Sequence, residues 1–179
     1  MRSRTIFLRG NQHEHYFVVI SASAMLAGCG TSPQDTILSN TEVAGNGSRT
    51  QAAENAVDAF HKALTDGDPK QAMALLSDDV SIYESGGAEA SKAEYASHHL
   101  DADIAFLKGI KQSVAARSSQ ASGDMALVTT QGTTVGTYKD KSINSVSTET
   151  MVLRLTEGKW KIVHIHWSSA DKKPGTPAS

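Results

Sequence analysis

Apolar residues recur along the chain with two different periods, and the change of period divides it into a helical part and a stranded part. Across residues 51–107 the period is that of an α-helix. A first helix is predicted to end at the Asp-Gly pair 66–67, because glycine suits the left-handed cap. The Asp-Pro pair 68–69 begins a short second helix. Ser91 begins a third, in a capping box with Glu94, that extends to the end of this part.

The period changes to two after the third helix, which is typical of half-buried strands. Turn sequences at 122–124, 139–141 and 157–158 separate four predicted strands, and a shorter strand precedes the third helix. The five predicted strands are Val80–Glu84, Lys111–Ser119, Met125–Tyr138, Ile143–Leu155 and Trp160–Ser168. Helices first and strands last predict an α+β fold, with the helices packed on one face of an antiparallel sheet.

The segments that lack this periodicity set the limits of the domain. Residues 29–50 are rich in Ser, Thr, Gly and Asn, so we expect a flexible tether there. The domain is predicted at 51–170 and a loose tail at 171–179. The chain has 179 residues and a formal net charge of −2, and no cluster of Lys and Arg stands out. We therefore expect no binding to nucleic acid.

The N-terminus carries a pattern of its own. Three arginines lie among the first nine residues, and an apolar stretch follows at Tyr16–Leu26. The small residues Ala27 and Gly28 then precede Cys29, the only cysteine. The apolar stretch is too short for a membrane span of roughly 20 residues, but it has the length of a signal-peptide core. The whole pattern resembles a bacterial lipoprotein signal.

That resemblance implies removal of residues 1–28 and a diacylglycerol on the sulfur of Cys29. The mature protein is then expected in the bacterial cell envelope, on the periplasmic side, with its lipid in a membrane. In such lipoproteins, an aspartate directly after the cysteine implies retention of the protein at the inner membrane. This chain has Gly30 at that position, so the resemblance implies export to the outer membrane. The alternative is an ordinary secretory signal with an unrelated cysteine. An acylated Cys29 leaves no cysteine for a disulfide, so packing must hold the domain together.

Two segments resemble the nuclear transport factor 2-like superfamily, over about residues 51–170. The first, Ala63–Asp68 followed by Met73–Val80, looks like the beginning of ketosteroid-isomerase-like and SnoaL-like members. The second, Ser147–Thr150 followed by Gly158–Ser168, is similar to the end of the association domain of calcium/calmodulin-dependent protein kinase II. The resemblance implies a cystatin-like cone, in which three N-terminal helices pack against a curved antiparallel sheet around a pocket.

The comparison with ketosteroid isomerases also bears on activity. It places Phe60 where those enzymes have an oxyanion-binding tyrosine, and Glu84 where they have a carboxylate base. Phenylalanine cannot donate a hydrogen bond, and the loss of such a donor costs on the order of 2.7–4 kcal/mol of barrier. Glu84 is therefore a candidate base in a site that lacks the tyrosine donor to the oxyanion. The alternative is a solvated residue at the end of a strand.

The third predicted helix carries a second candidate for acid–base chemistry. His99 and Asp103 fall inside its apolar arc, one turn apart. We expect them to point inward and to hydrogen-bond to each other or to a histidine of the last strand. The alternative is a structural core pair. Strict alternation in the last strand puts His164 and His166 on one face with Trp160, as a polar pocket wall.

No complete catalytic or metal-binding set emerges, so we expect neither a metal nor another cofactor. We interpret the mature chain as a lipid-anchored periplasmic domain that binds a small molecule or a peptide. We expect a homodimer, because both faces of the last strand are apolar. Two alternatives stay open: a lyase, isomerase or cyclase with Glu84 or the His99–Asp103 pair as base, and a non-catalytic oligomerisation module. The predicted pocket residues are Tyr83, Glu84, Tyr95, His99, Asp103, His164 and His166.

Overall fold

The computed structural model describes residues 33–172. The predicted signal segment, the lipidation site Cys29 and most of the predicted tail lie outside the described residues. Within 33–172, no helix has both the length and the apolar character of a membrane span. The four helices of this part are α1 (Pro33–Asp66), α2 (Pro69–Leu75), α3 (Lys92–His98) and α4 (Leu100–Leu107).

The predicted helix caps are confirmed. Asp68 Oδ1 accepts a hydrogen bond from the backbone N–H of Gln71 at 2.9 Å, which begins α2. Ser91 Oγ accepts from the N–H of Glu94 at 3.1 Å, which begins α3. Helix α1 ends just before Gly67, whose φ of +72° is the left-handed conformation that the Asp-Gly pair predicts.

Helix α1 begins earlier than the sequence predicts. It starts at Pro33, whereas the composition of residues 29–50 predicts a tether. Residues 45–49 are exposed, and the first buried side chain after them is Ala53. Residues 45–49 therefore bury no apolar side chain, and periodicity gives no sign of a helix there.

The third predicted helix is in fact two helices. Helices α3 and α4 meet at His99, whose φ of −121° departs from helical geometry. The break rotates α4 relative to α3, so a wheel drawn for one continuous helix misplaces the side chains on either side of it. The prediction of a single helix is wrong at this point.

Six strands form one curved, open sheet: β1 (Leu76–Glu84), β2 (Gly87–Glu89), β3 (Ile110–Ser122), β4 (Met125–Tyr138), β5 (Lys141–Thr156) and β6 (Lys159–Asp171). Their order across the sheet is β2-β1-β6-β5-β4-β3. Neighbouring strands are antiparallel except for β1 and β6, which are parallel. The expectation of a purely antiparallel sheet is wrong for this pair, because periodicity reports the faces of a strand and not its direction.

The helices pack on one face of this sheet, and the core lies between them. Val57, Phe60 and Leu64 of α1 are buried, as their helical spacing predicts. The inner face of the sheet supplies the facing part of the core, with Val80, Ile82, Val128, Met151, Leu153, Ile162 and Ile165. The α+β architecture predicted from the sequence is confirmed.

A bulge in β6 decides which of its side chains reach that core. The ladder between β5 and β6 shifts register after Ile162, so Val163 is an extra residue. Beyond it the alternation changes phase: Ile165 is buried, whereas His164 and His166 lie on the outer face. A slip of one residue exchanges the two faces of a strand, so the predicted alternation is wrong for this end of β6.

A second bulge curves the opposite edge of the sheet. The register between β3 and β4 shifts at Ala115, opposite Gly132. A Cβ at residue 132 would lie 2.6 Å from the backbone oxygen of Ser113. Only glycine lets the two strands approach this closely, and the resulting curvature leaves room for a cavity beneath the helices.

Candidate functional site

Two adjoining cavities lie between the helices and the inner face of the sheet. The larger, about 600 Å³, is lined by α1 and α4 on one side and by strands β3 to β6 on the other. The smaller, about 180 Å³, lies against α3 and the β1–β2 hairpin. Glu84, Asp103 and Trp167 line both cavities and therefore form the boundary between them.

A row of side chains crosses the sheet on the floor of the larger cavity. Its members are partners in successive neighbouring strands, in the order Glu84, Trp167, Glu149, Thr130 and Arg117. Neighbouring strands lie about 4.8 Å apart, so each side chain of the row is within reach of the next. The sheet thus aligns two carboxyls, an indole, a hydroxyl and a guanidinium along one line.

Glu149 is the buried centre of this row, at 8% exposure. Its Oε2 accepts hydrogen bonds from Nε2 of His61 at 2.8 Å and from Nε1 of Trp167 at 2.7 Å. Burial works to raise the pKa of Glu149, but these two hydrogen bonds and the charges of His61 and Arg117 outweigh it and lower the pKa. Glu149 is therefore ionised at neutral pH. Its other oxygen, Oε1, is buried without a partner within the described residues.

Two further contacts hold the row against α1. The indole of Trp167 stacks on Phe60, with ring centroids 6.5 Å apart and planes inclined by 14°. Arg117 donates from Nη1 to Asp58 Oδ1 at 2.8 Å and from Nε to Thr130 Oγ1 at 3.3 Å. The charge of Arg117 is thereby matched by a carboxylate of the helix above it.

Asp103 of α4 lies at the boundary between the cavities. The hydroxyl of the buried Tyr95 donates to Oδ2 of Asp103 at 2.8 Å. Burial raises the pKa of Asp103 and the charge of Glu89 adds to the shift, while the hydrogen bond from Tyr95 and the charge of His99 oppose it. Burial and the neighbouring Asp103 also raise the pKa of Tyr95, so the phenol stays protonated and acts as a donor.

Glu84, the last residue of β1, lies on the inner face at the boundary. Part of this residue is exposed to solvent, and part is covered by the protein. Its partial burial and the charge of Asp103 raise the pKa of Glu84. The charge of His99 opposes this shift, and that of Glu89 adds to it. Two carboxyl groups with raised pKa values thus meet at one place, which favours a proton on one of them.

The predicted His99–Asp103 hydrogen bond is replaced by two other contacts. Nδ1 of His99 pairs with Oε1 of Glu89, a buried carboxylate of β2, and 55% of the His99 side chain is exposed. The helix break is the physical reason, because it turns His99 toward β2 and Asp103 toward Tyr95. His99 still lines the smaller cavity, together with Tyr95, Asp103 and Glu84.

The other three predicted pocket residues lie on the outer face of the sheet, and they line neither cavity. Tyr83 is 48% exposed, and its ring meets that of His164 edge-on at a centroid distance of 5.1 Å. His164 Nδ1 lies 2.8 Å from Ser81 Oγ, and His166 is exposed. The bulge in β6 turns both histidines outward, and Tyr83 points outward because it alternates with the buried Ile82.

Sequence reasoning missed His61, Glu149 and Trp167. Glu149 alternates with the buried Met151, so a carboxylate at an inward strand position was an available signal. Trp167 could have been found from the spacing of apolar residues in the last strand. Positions 160, 162, 165 and 167 are two residues apart except for one step of three, from 162 to 165. That step marks the bulge and places residue 167 on the inner face. His61 gives no such signal, because it lies beside Phe60 at the edge of the buried helix face.

The polar groups that line the cavities are of three kinds. Carboxyls occupy the boundary, an imidazole–carboxylate pair occupies the floor, and Ser and Thr hydroxyls follow the strands of the sheet. Within residues 33–172, no three His, Cys, Asp or Glu side chains converge as the ligands of a metal ion would. The arrangement is equipped for hydrogen bonding and for proton exchange with a bound molecule.

Helices covering the concave face of an open, curved sheet define the NTF2-like, or cystatin-like, class of folds. An NTF2-like protein from Pseudomonas putida aligns over 74% of this chain and 94% of its own, with a TM-score of 0.59 and 20% identity. The hub of calcium/calmodulin-dependent protein kinase II from S. rosetta aligns over 68% and 96%, with a TM-score of 0.55 and 22% identity. At these identities, the two likenesses show that the fold is the predicted one.

Within this class, the chain belongs to the SnoaL-like family, whose family model matches residues 53–172. A candidate ketosteroid isomerase from Shewanella frigidimarina is 43% identical to it. That alignment covers 65% of this chain and 94% of the other, with a TM-score of 0.64. No curated protein matches the chain.

The raised pKa of Asp103 predicts the pH dependence of stability. Because the folded state binds this proton more readily than the unfolded state, the ionised carboxylate destabilises the fold at neutral pH. This penalty disappears as the pH falls toward about 4, the unfolded value of an aspartate. Asp103→Asn keeps an acceptor for Tyr95, so we expect it to melt above wild type at neutral pH, with the difference vanishing in acid. Thermal unfolding across this pH range measures the effect.

Two variants serve as controls for this prediction. Asp103→Ala leaves the buried Tyr95 hydroxyl without a partner, which costs about 1–3 kcal/mol, so it should melt below Asp103→Asn at every pH. Asp101→Asn removes an exposed carboxylate of the same helix and should leave the pH profile unchanged. A lower melting temperature for Asp103→Asn than for wild type at neutral pH contradicts the argument.

Proposed function

We propose that the domain binds a small, partly apolar molecule in the larger cavity, with a polar group of that molecule at Asp103 and Glu84. The observation that carries this proposal is a cavity of about 600 Å³ with two carboxyls of raised pKa at one end. Small-molecule sites are typically about 300–1,000 Å³, largely apolar, with a few polar groups that orient the ligand. Leu64, Phe106, Leu107 and Ile110 supply the apolar wall.

The same carboxyls favour a second candidate function, acid–base catalysis of the isomerase or lyase type. Two adjacent carboxyls with raised pKa values can act as an acid and a base at the same site. The 43% identical relative from Shewanella frigidimarina, a candidate ketosteroid isomerase, supports this reading of the boundary. Phe60 argues against a strong isomerase of that type, because it is buried against Trp167 and offers no donor to an oxyanion.

Filling the cavity should abolish binding without unfolding the domain. Ser147 lies on the inner face of β5 and lines the cavity, so Ser147→Phe places an aromatic ring in the ligand volume. We expect N-phenyl-1-naphthylamine, a neutral apolar dye, to fluoresce on binding to the wild type. Its affinity for Ser147→Phe should be lower by about tenfold or more, which corresponds to roughly 1.4 kcal/mol.

Gln120→Phe is the matched control, because Gln120 is exposed on β3 and lines neither cavity. Equal dye affinity in the wild type and Ser147→Phe, at equal melting temperature, would place the dye elsewhere and argue against the proposed site. Isomerisation of a ketosteroid by the wild type, lost in Glu84→Gln, would favour the catalytic candidate over simple binding.

We further propose that the mature protein is a periplasmic lipoprotein anchored by a diacylglycerol on Cys29, in the outer membrane. The support is the sequence pattern of the first 29 residues, in which basic residues, an apolar core and two small residues precede the only cysteine.

Cys29→Ala tests the anchor. Without a thiol to acylate, we expect the protein to move from the membrane fraction to the soluble fraction of the cell envelope. Fractionation and immunoblotting measure the change, and mass spectrometry of the wild type should find an N-terminal diacylated cysteine. An intact Met1 in the mature wild-type protein would refute the proposal.

We also propose that the domain self-associates through the outer face of its sheet, as a homodimer. This face is covered by no helix of the described chain, and it exposes Tyr83, Val135 and Val146. Clusters of exposed apolar side chains on a soluble protein commonly mark interfaces. The likeness to a kinase hub shows the fold alone, so the support for self-association is the surface itself.

A charge in this face should separate the subunits. We expect light scattering on the soluble Cys29→Ala protein to give a dimer, and the further change Val146→Glu to give a monomer. Ala105→Glu, on the exposed side of α4, is the control and should remain dimeric. A monomer for Cys29→Ala at tens of micromolar would contradict the proposal.

A further inference from the structure

We infer that His61 is the proton acceptor of the larger cavity, oriented by the buried carboxylate of Glu149, and that it takes a ligand bearing a hydroxyl or N–H group. The inference rests on the proposed binding function and names the chemistry of the ligand group that meets the floor of the cavity. Its basis is the geometry of three side chains, from α1, β5 and β6, that meet on the cavity floor.

The carboxylate fixes which nitrogen of the imidazole carries the proton. An ionised carboxylate has no proton to donate, so the 2.8 Å contact between Glu149 Oε2 and His61 Nε2 requires the hydrogen to be on Nε2. The neutral ring then has its lone pair on Nδ1. A carboxylate paired with one ring nitrogen is a recurrent way of preparing the other nitrogen as a base.

Glu149 is itself held in place by a second donor. Trp167 Nε1 lies 2.7 Å from the same oxygen, and the indole is stacked on Phe60. A carboxylate with donors from both a helix and a strand cannot rotate without breaking one of these bonds inside the protein, where an unpaired charge costs several kcal/mol. The orientation of His61 is therefore determined before any ligand enters.

The lone pair on Nδ1 is left for a ligand. His61 lines the larger cavity with 26% of its side chain exposed, and Nδ1 has no hydrogen-bond partner among the side chains of residues 45–172. Two cations that line the cavity are engaged with acids: Arg117 of β3 with Asp58, and Lys62 of α1 with Asp66. The ring therefore presents an acceptor to the cavity and attracts a donor.

The chemistry of the matching ligand follows. A ligand with a hydroxyl or N–H group that donates to Nδ1 binds more tightly than the corresponding ether, which has no proton to donate. If the proton is transferred, the electron pair of the O–H or N–H bond stays on the ligand, and the imidazolium is stabilised by the ionised Glu149. The proton returns by the same path when the ligand leaves.

The resting tautomer can be tested without any ligand. Long-range proton–nitrogen NMR of the 15N-labelled wild type, recorded at a pH at which the spectrum shows His61 to be neutral, should find this ring protonated at Nε2. In Glu149→Gln, the amide can offer either its carbonyl or its NH₂ group, so the preference for Nε2–H should weaken. His164, on the outer face, is the internal control and should be unchanged. A wild-type His61 protonated at Nδ1 overturns the inference.

The ligand chemistry is tested with two probes, 2-naphthol and 2-methoxynaphthalene, in which a methyl group replaces the hydroxyl hydrogen and removes the donor. We expect the wild type to bind the naphthol more tightly by up to about tenfold, the range of one hydrogen bond, and His61→Phe to bind the two equally. His98→Phe, an exposed site on α3, is the matched control and should discriminate like the wild type.

The outcomes separate this inference from the proposed function. Unchanged preference for the naphthol in His61→Phe overturns the role of His61 while leaving cavity binding intact. Failure of both naphthalenes to bind the wild type counts against the proposed binding function. In that case the NMR result decides alone: an Nε2–H tautomer supports His61 as the acceptor, and an Nδ1–H tautomer overturns it.

Discussion

One buried carboxylate organises the floor of the larger cavity. Glu149 lies on the central strand β5 and is ionised, and its two donors come from different elements, His61 from α1 and Trp167 from β6. Removing either donor would leave a buried charge with too few hydrogen bonds, which costs several kcal/mol. The carboxylate therefore ties the first helix to the sheet, and the stacking of Trp167 on Phe60 completes that connection.

This arrangement depends on an irregularity of the backbone. If Val163 continued the regular alternation instead of forming the bulge, His166 would lie on the inner face and Trp167 on the outer face. Glu149 would then face a different partner on β6, and the row across the cavity floor would lose its indole. The bulge thus determines the chemistry of the site, although it changes the position of the strand by only one residue.

The fold could be predicted from the sequence to a larger extent than the site. The buried face of α1, the caps at Asp68 and Ser91 and the four long strands follow from local periodicity and capping chemistry, which act over a few residues. The site depends on phase and direction across distant segments. The break at His99, the bulge in β6 and the parallel pairing of β1 with β6 each alter which side chains meet, and periodicity alone reports none of them.

The two polar parts of the cavity, the boundary and the floor, have opposite acid–base character, because hydrogen bonds and positive charge outweigh burial in one part and not in the other. Glu149 receives two hydrogen bonds and lies near positive charge, so its pKa falls despite burial. Asp103 receives one hydrogen bond, and burial, with the charge of Glu89 adding to it, raises its pKa. The boundary therefore tends to hold a proton and to donate it, whereas the floor, through His61, tends to accept one. An asymmetric ligand with an acceptor at one end and a donor at the other would consequently bind in a single orientation, which is the property that distinguishes a specific site from an apolar void.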